Sequence, residues 1–270
     1  MKSTKRSRDL QSSNTSDSRQ GYRMNNTSLY DDSLSKKSIP IAEVFDGDIR
    51  KYNGYQYTQK KLYSMEVANS RLTRETALHI PKSTQTVIDM GCGDGVYTHE
   101  LSIQFPHVQF SGFDPSGEAI RIAEKAYQHI QFYKGDLFLL PPPKKKYDVA
   151  ILRGVIHHVH DPALALQKAR LWARTIIIIE PNGNNVLLKL IEKMSPYHRM
   201  HQERSYSGMQ LKHWCTQAKI RLVKEKYIGF VPFFFPTVLA RIVYALQPYF
   251  EKVFILTYFF AAQIVLVGQE

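Results

Sequence analysis

The segment Asp89-Met90-Gly91-Cys92-Gly93-Asp94-Gly95 constrains the fold of this chain more than any other stretch. It follows the apolar run Thr86-Val87-Ile88, and a second apolar run ends in Asp114, 19 residues after the last glycine. Glycines between a strand and a helix let backbone approach a ligand with no Cβ in the way, and an acid at the tip of the next strand can accept from ribose hydroxyls. The turn therefore reads as a nucleoside-binding element. A dinucleotide fingerprint, G-x-G-x-x-G, would need its third small residue where this chain has Val96, so NAD or FAD fits poorly.

Around this turn, short apolar runs of the kind buried in parallel sheets recur at Thr86 to Met90, Val108 to Phe113, Ile130 to Tyr133, Tyr147 to Leu152 and Thr175 to Ile179. Helix signals fall between and after them. Pro115-Ser116 opens Gly117 to Gln128, Asp161 with Pro162 opens Ala163 to Ala173, and Ser207 with Gln210 forms a capping box for Gly208 to Ala218. A sixth strand fits Arg221 to Ile228. Strands alternating with helices argue for a doubly wound α/β fold with a mainly parallel sheet.

Residues 1–38 carry few aliphatics and many Ser, Asn, Arg and Lys, which predicts a disordered basic tail. Its four aspartates argue against a transit peptide, and no early apolar core suggests a signal peptide. Residues 39–85 are expected to form a helical N-terminal cap, ended by Pro81, and residues 86–270 the main domain. Within the cap, the aromatic and basic run from Arg50 to Tyr57 suits a lid over the ligand, a nucleic-acid stacking surface, or plain packing.

A hydrophobic insertion occupies 229–258. Prolines and the charges of Arg241, Glu251 and Lys252 interrupt it, and the uninterrupted piece from Val253 to Val267 is shorter than the ~20 residues a membrane span needs. Three uses stay open: a lid over a greasy acceptor, a peripheral contact with a membrane, or a dimer surface.

The formal charge is +12 at pH 7, and the part after the tail still carries an excess of cations, which favours an anionic partner or simply keeps the chain in solution. With only Cys92 and Cys215 present, no disulfide framework is expected, and a reducing, cytoplasmic setting follows. Cys92 reads as a small apolar filler.

The pattern D-x-G-x-G-x-G resembles motif I of the class I S-adenosylmethionine-dependent methyltransferases. The resemblance covers residues 86–228 and the last strand, Ala262 to Val267, which in that family returns antiparallel as the seventh. It implies S-adenosylmethionine as cofactor, held by Asp89, Gly91, Gly93, Gly95 and Asp114. Asp136, beside Leu137 after the third strand, takes the place of the acid that accepts from the adenine amino group.

After the fourth strand comes Arg153-Gly154-Val155-Ile156-His157-His158-Val159-His160-Asp161. Strand carboxyl ends face the crevice in such sheets, which sets Arg153 beside the cofactor and His157 or His158 near the methyl group. A metal site is not expected, because adjacent histidines should diverge and no second ligand cluster has the spacing. On the family pattern, the later segment with His198 and His201 hangs over the acceptor. One of these four histidines is the candidate base, although alignment alone can drive much of a methyl transfer.

The segment also lacks the Asn/Asp-Pro-Pro-aromatic turn of enzymes that methylate base amines. The expected acceptor is a small or lipid-linked molecule, methylated at oxygen or carbon. A nucleic-acid methyltransferase and a non-enzymatic cofactor-binding module are the rivals, and the sequence leaves oligomeric state open.

Overall fold

The computed structural model describes residues 41–52, 54, 55, 58, 62–194 and 204–270. The expected tail at 1–38 lies outside them, as do His198 and His201. Helices α1 (Ile41–Tyr52) and α2 (Tyr63–His79) precede β1 (Thr86–Met90). Then come α3 (Val96–Gln104), β2 (Gln109–Asp114), α4 (Gly117–Ala126), β3 (Gln131–Lys134) and β4 (Tyr147–Arg153). A 3-10 turn at Ile156–His158 leads to α5 (Pro162–Trp172), β5 (Ala173–Pro181), α6 (Val186–Met194), α7 (Gly208–Gln217) and β6 (Arg221–Ile228). The chain closes with α8 (Thr237–Phe250), α9 (Phe254–Phe260) and β7 (Gln263–Gln269).

The seven strands lie in the order β3-β2-β1-β4-β5-β7-β6. β7 is antiparallel to both neighbours, and the pairings among β1 to β5 are parallel, with Asp89 opposite Gly112 and Ile178 opposite Leu266. This is the doubly wound sheet that the alternating pattern predicts. Its core lies on both faces: Ile176 and Ile178 of β5 pack into one buried cluster, and Ile177 and Ile179 into the other. A strand covered on both sides has no polar face to show, which is why β5 reads as an unbroken apolar run.

The cap signals act as expected. Ser116 accepts from the Ala119 amide, Asp161 from Leu164, and Ser207 and Gln210 complete a reciprocal capping box. Two departures concern the apolar segments. Residues 186–194, to which the sequence reading assigns no element, form α6. In the insertion, the amphipathic stretch from Thr237 runs on through Pro248 to Phe250. The proline lies in the last turn, so its missing N–H costs a single backbone bond at a helix that is already ending.

The insertion is fastened to the cap. Arg71 of α2 donates two bonds to Glu251, at 3.1 and 2.9 Å, and Glu251 also accepts from the Gly229 amide at 3.3 Å. Buried Glu75 takes a bond from Arg71 at 2.7 Å and two from Lys226, at 3.0 and 2.9 Å. Burial opposes the charge of Glu75, but Lys226 and Arg71 outweigh it and hold the carboxyl below its ordinary value.

Candidate cofactor crevice and active site

The glycine turn leaves β1 and curls across its tip. Gly91, Gly93 and Gly95 all adopt left-handed backbone, with φ of 78°, 56° and 76°. Close approach compounds the conformational demand at all three. A Cβ on Gly91 would lie 2.6 Å from Cγ2 of Val155, one on Gly93 2.8 Å from the Tyr55 ring, and one on Gly95 2.7 Å from the Phe132 ring.

The acids divide their work. Asp89 accepts from the Thr98 hydroxyl at 2.6 Å and forms part of a cavity wall. Asp114, one strand over, accepts from the Gly93 amide at 3.0 Å and the Ser116 amide at 2.9 Å, which fixes the turn against the start of α4. Both carboxyls are raised to about 6, chiefly by burial. Asp94 holds the cap down instead: it accepts from the Thr58 hydroxyl at 2.6 Å and the Tyr55 amide at 3.2 Å. Burial pushes Asp94 up as well. The aromatic and basic segment of the cap thus places Tyr55 over the turn.

The crevice opens into a cavity of about 560 Å³. Asp89, Gly91, Gly93, Arg153, His157 and His158 share its wall with an apolar sector from Leu187, Leu188, Ile191, Phe230 and Phe233 to Phe235. Gly95, Asp114, Asp136 and Leu137 lie outside that lining. Gly95 caps α3, Asp136 accepts from the Phe138 amide at 2.8 Å, and Leu137 is buried in the core. Cys92 is buried in the other core cluster and its thiol is driven well up by burial, as befits a filler.

Arg153, at the end of β4, is half-buried in the cavity wall. It donates to Asn69 at 2.9 Å and to Thr73 at 3.1 Å, and its guanidinium lies 3.6 Å from the centroid of the Tyr97 ring. These direct contacts are polar or aromatic, and Glu100 and Asp89 lie close enough to favour its charge, yet burial outweighs them and lowers its pKa.

The expectation that His157 and His158 diverge is not met. Their ring centroids are 3.9 Å apart, and Phe45 of α1 packs edge-on against His158 at 5.1 Å. The cause is Glu180, at the end of β5. Its carboxylate accepts from the Val155, Ile156 and His157 amides at 2.8, 2.7 and 3.2 Å, which winds the segment into a tight 3-10 turn. The same group lies 2.7 Å from His157 Nδ1. Among the described residues, no group of three or more His, Cys, Asp or Glu is placed to hold a metal ion.

Glu180 is the residue that the sequence reading missed. Its signal was faint: an acid at a strand tip, followed by Pro181-Asn182. Asn182 and Asn185 extend its role, for both donate to the Ala261 carbonyl, at 2.9 and 3.1 Å, and tie the loop after β5 to the end of α9.

Such a sheet, with a glycine turn and acid-tipped strands facing a crevice, defines a class I S-adenosylmethionine-dependent methyltransferase. The chain belongs to the methyltransferase domain family, whose model matches residues 62–225. It is 26% identical over 179 residues to the malonyl-[acyl-carrier protein] O-methyltransferase of Halalkalibacterium halodurans. It is 25% identical over 148 residues to the demethylmenaquinone methyltransferase of Thermotoga maritima. These matches cover 63% and 55% of this chain, and the chain spans 61% and 60% of those relatives. Among solved structures, it is similar to the plantazolicin methyltransferase BpumL in complex with a desmethyl analogue and S-adenosylhomocysteine. The TM-score is 0.57 at 18% identity, covering 85% of this chain and 94% of that one, a likeness of fold.

Proposed function

We propose that this chain transfers a methyl group from S-adenosylmethionine to an oxygen of a small, largely apolar acceptor. The observation that carries the reading is the pairing of His157 with Glu180 in the wall of a cavity that also holds Asp89, the glycine turn and a broad apolar sector. The donor set suits the cofactor. Asp89 would face its ammonium, Arg153 its carboxylate, Gly91 and Gly93 would admit its body, and Asp114 would meet its ribose through the turn it braces. The sulfonium supplies an activated methyl group.

The chain's own residues supply alignment and proton handling. A carboxylate at Nδ1 accepts a hydrogen bond from the Nδ1–H, which keeps the proton there and makes Nε2 the basic nitrogen of a neutral imidazole. His157 would then take the proton of an acceptor hydroxyl as its oxygen attacks the methyl carbon. The apolar walls exclude water and steady a greasy acceptor. One relative is named a malonyl-[acyl-carrier protein] O-methyltransferase, which supports oxygen as the acceptor atom; a second is named a demethylmenaquinone methyltransferase, which supports an apolar acceptor only. A nucleic-acid acceptor fits less well, because Tyr55 is spent on the glycine turn and the cavity wall opposite it is apolar.

The test supplies the purified chain with methyl-labelled S-adenosylmethionine and separated aqueous, lipid and RNA fractions of a cell extract, followed by mass spectrometry of labelled products. Label in an organic-soluble product bearing a new O-methyl group supports the reading. Label confined to RNA, or to carbon or nitrogen, counts against it.

A further inference from the structure

The cavity opens through a collar of apolar side chains that no part of the described chain covers. Leu187 of α6, Phe234, and Phe260 of α9 line the cavity and yet are 46%, 58% and 52% exposed. Beyond the mouth the apolar surface continues over both later helices, with Phe254 and Ile255 exposed by 71% and 63% and Val238 and Ile242 also outward. A patch this continuous marks a binding face rather than ordinary surface.

Among the described residues, the exposed charges around this face have one sign. Lys193, Arg241 and Lys252 are exposed. The carboxylates of α6 and of the turn after α8 are held inward: Glu192 binds Lys189 and the Ser205 amide, and Glu251 binds Arg71. An apolar face whose described rim exposes cations is complementary to an anionic bilayer surface. Two copies mated about a two-fold axis would press these cations toward each other. A mobile lid is disfavoured too, since Arg71, Gly229 and Asn182 fasten the insertion at both ends.

We propose that α6, α8 and α9 seat the protein on an anionic lipid bilayer, with the apolar residues in the interface and the cations at the headgroups. The cavity mouth then opens onto the bilayer. Resting on the methyl-transfer reading, this makes the acceptor a molecule dissolved in the membrane, which enters without crossing water.

The experiment is co-sedimentation of the full chain with vesicles of phosphatidylglycerol and phosphatidylcholine, against phosphatidylcholine alone, at low and high salt. Binding is expected to the anionic vesicles and to fall at least tenfold in high salt. Phe254→Asp with Ile255→Asp should abolish it, and Arg241→Glu with Lys252→Glu should weaken it by about tenfold or more. Each variant must bind S-adenosylhomocysteine like the parent, which shows that it is folded. A parent that binds S-adenosylhomocysteine but no vesicles overturns the proposal. So does a stable dimer whose interface buries Phe254 and Ile255, or vesicle binding that the Asp pair leaves intact. Loss of label transfer with vesicle binding preserved would strike the methyl-transfer reading instead.

Discussion

Glu180 Oε2 lies 2.7 Å from His157 Nδ1, and the same carboxylate gathers the backbone amides of Val155, Ile156 and His157 itself, so one side chain sets both the imidazole's orientation and the path that carries it. A base held this way depends on its holder. Glu180→Gln keeps an oxygen for the amides but puts an amino group in competition for the ring nitrogen. Label transfer into product should fall by about 10- to 100-fold, with S-adenosylhomocysteine affinity unchanged in calorimetry. His157→Ala should fall at least as far. Equal turnover in both variants and the parent would remove the base.

The raised carboxyls give two pH trends of opposite sign. Asp89 and Asp114 keep their protons up to about pH 6 in the folded chain, against an ordinary value of 3.8. Between those limits the folded state binds more protons, so these groups lower stability as pH rises through the window. Chemical denaturation should therefore show their contribution improving from pH 7 toward about pH 5. On the proposed cofactor site, binding would demand the ionised forms. S-adenosylhomocysteine affinity should drop below about pH 6, by up to about tenfold per unit for each group.

Gly91 separates conformation from crowding. With φ at 78° and Cγ2 of Val155 placed 2.6 Å from any added Cβ, Gly91→Ala should cost at least about 1 kcal/mol in urea denaturation. Gly91→Ala with Val155→Ala removes the clash but leaves the left-handed backbone. The double variant should recover part of the loss. Full recovery, or none, would contradict the geometry.

Arg71→Met should destabilise the chain by about 3 kcal/mol, because it strands Glu251 and removes one of the cations that compensate buried Glu75. Adding Glu251→Met should cost less than the sum of the two single changes. Strict additivity would mean that cap and insertion are not coupled through this pair.

Much of the fold was legible because its signals are local or periodic. β1 and β6 match their runs residue for residue, and Ser116, Asp161 and Ser207 cap the helices they announce. Strand ends such as Arg153 and Pro181 were missed by a residue or two, because pairing with a neighbour, not composition, decides where a strand stops. The site was legible only in outline. Asp89 and the glycines announce themselves by spacing, whereas Glu180 reaches back 23 residues to His157 and Asp94 reaches 39 to Tyr55, couplings that no short window contains. The close approach of the His157 and His158 rings was invisible for the same reason, since it follows from Glu180. The exposed face of α6 was hidden by its composition: Val186-Leu187-Leu188 looks like core until the fold leaves it outside.

Isothermal titration of the full chain with S-adenosylhomocysteine, beside a folded Asp114→Ala variant, bears most directly on whether these strand tips grip an adenosyl group. One site on the parent, weakened at least tenfold by the alanine, is the predicted result, given that charged hydrogen bonds contribute about 1.5–3 kcal/mol each. A well-folded parent that takes up no S-adenosylhomocysteine would contradict the account.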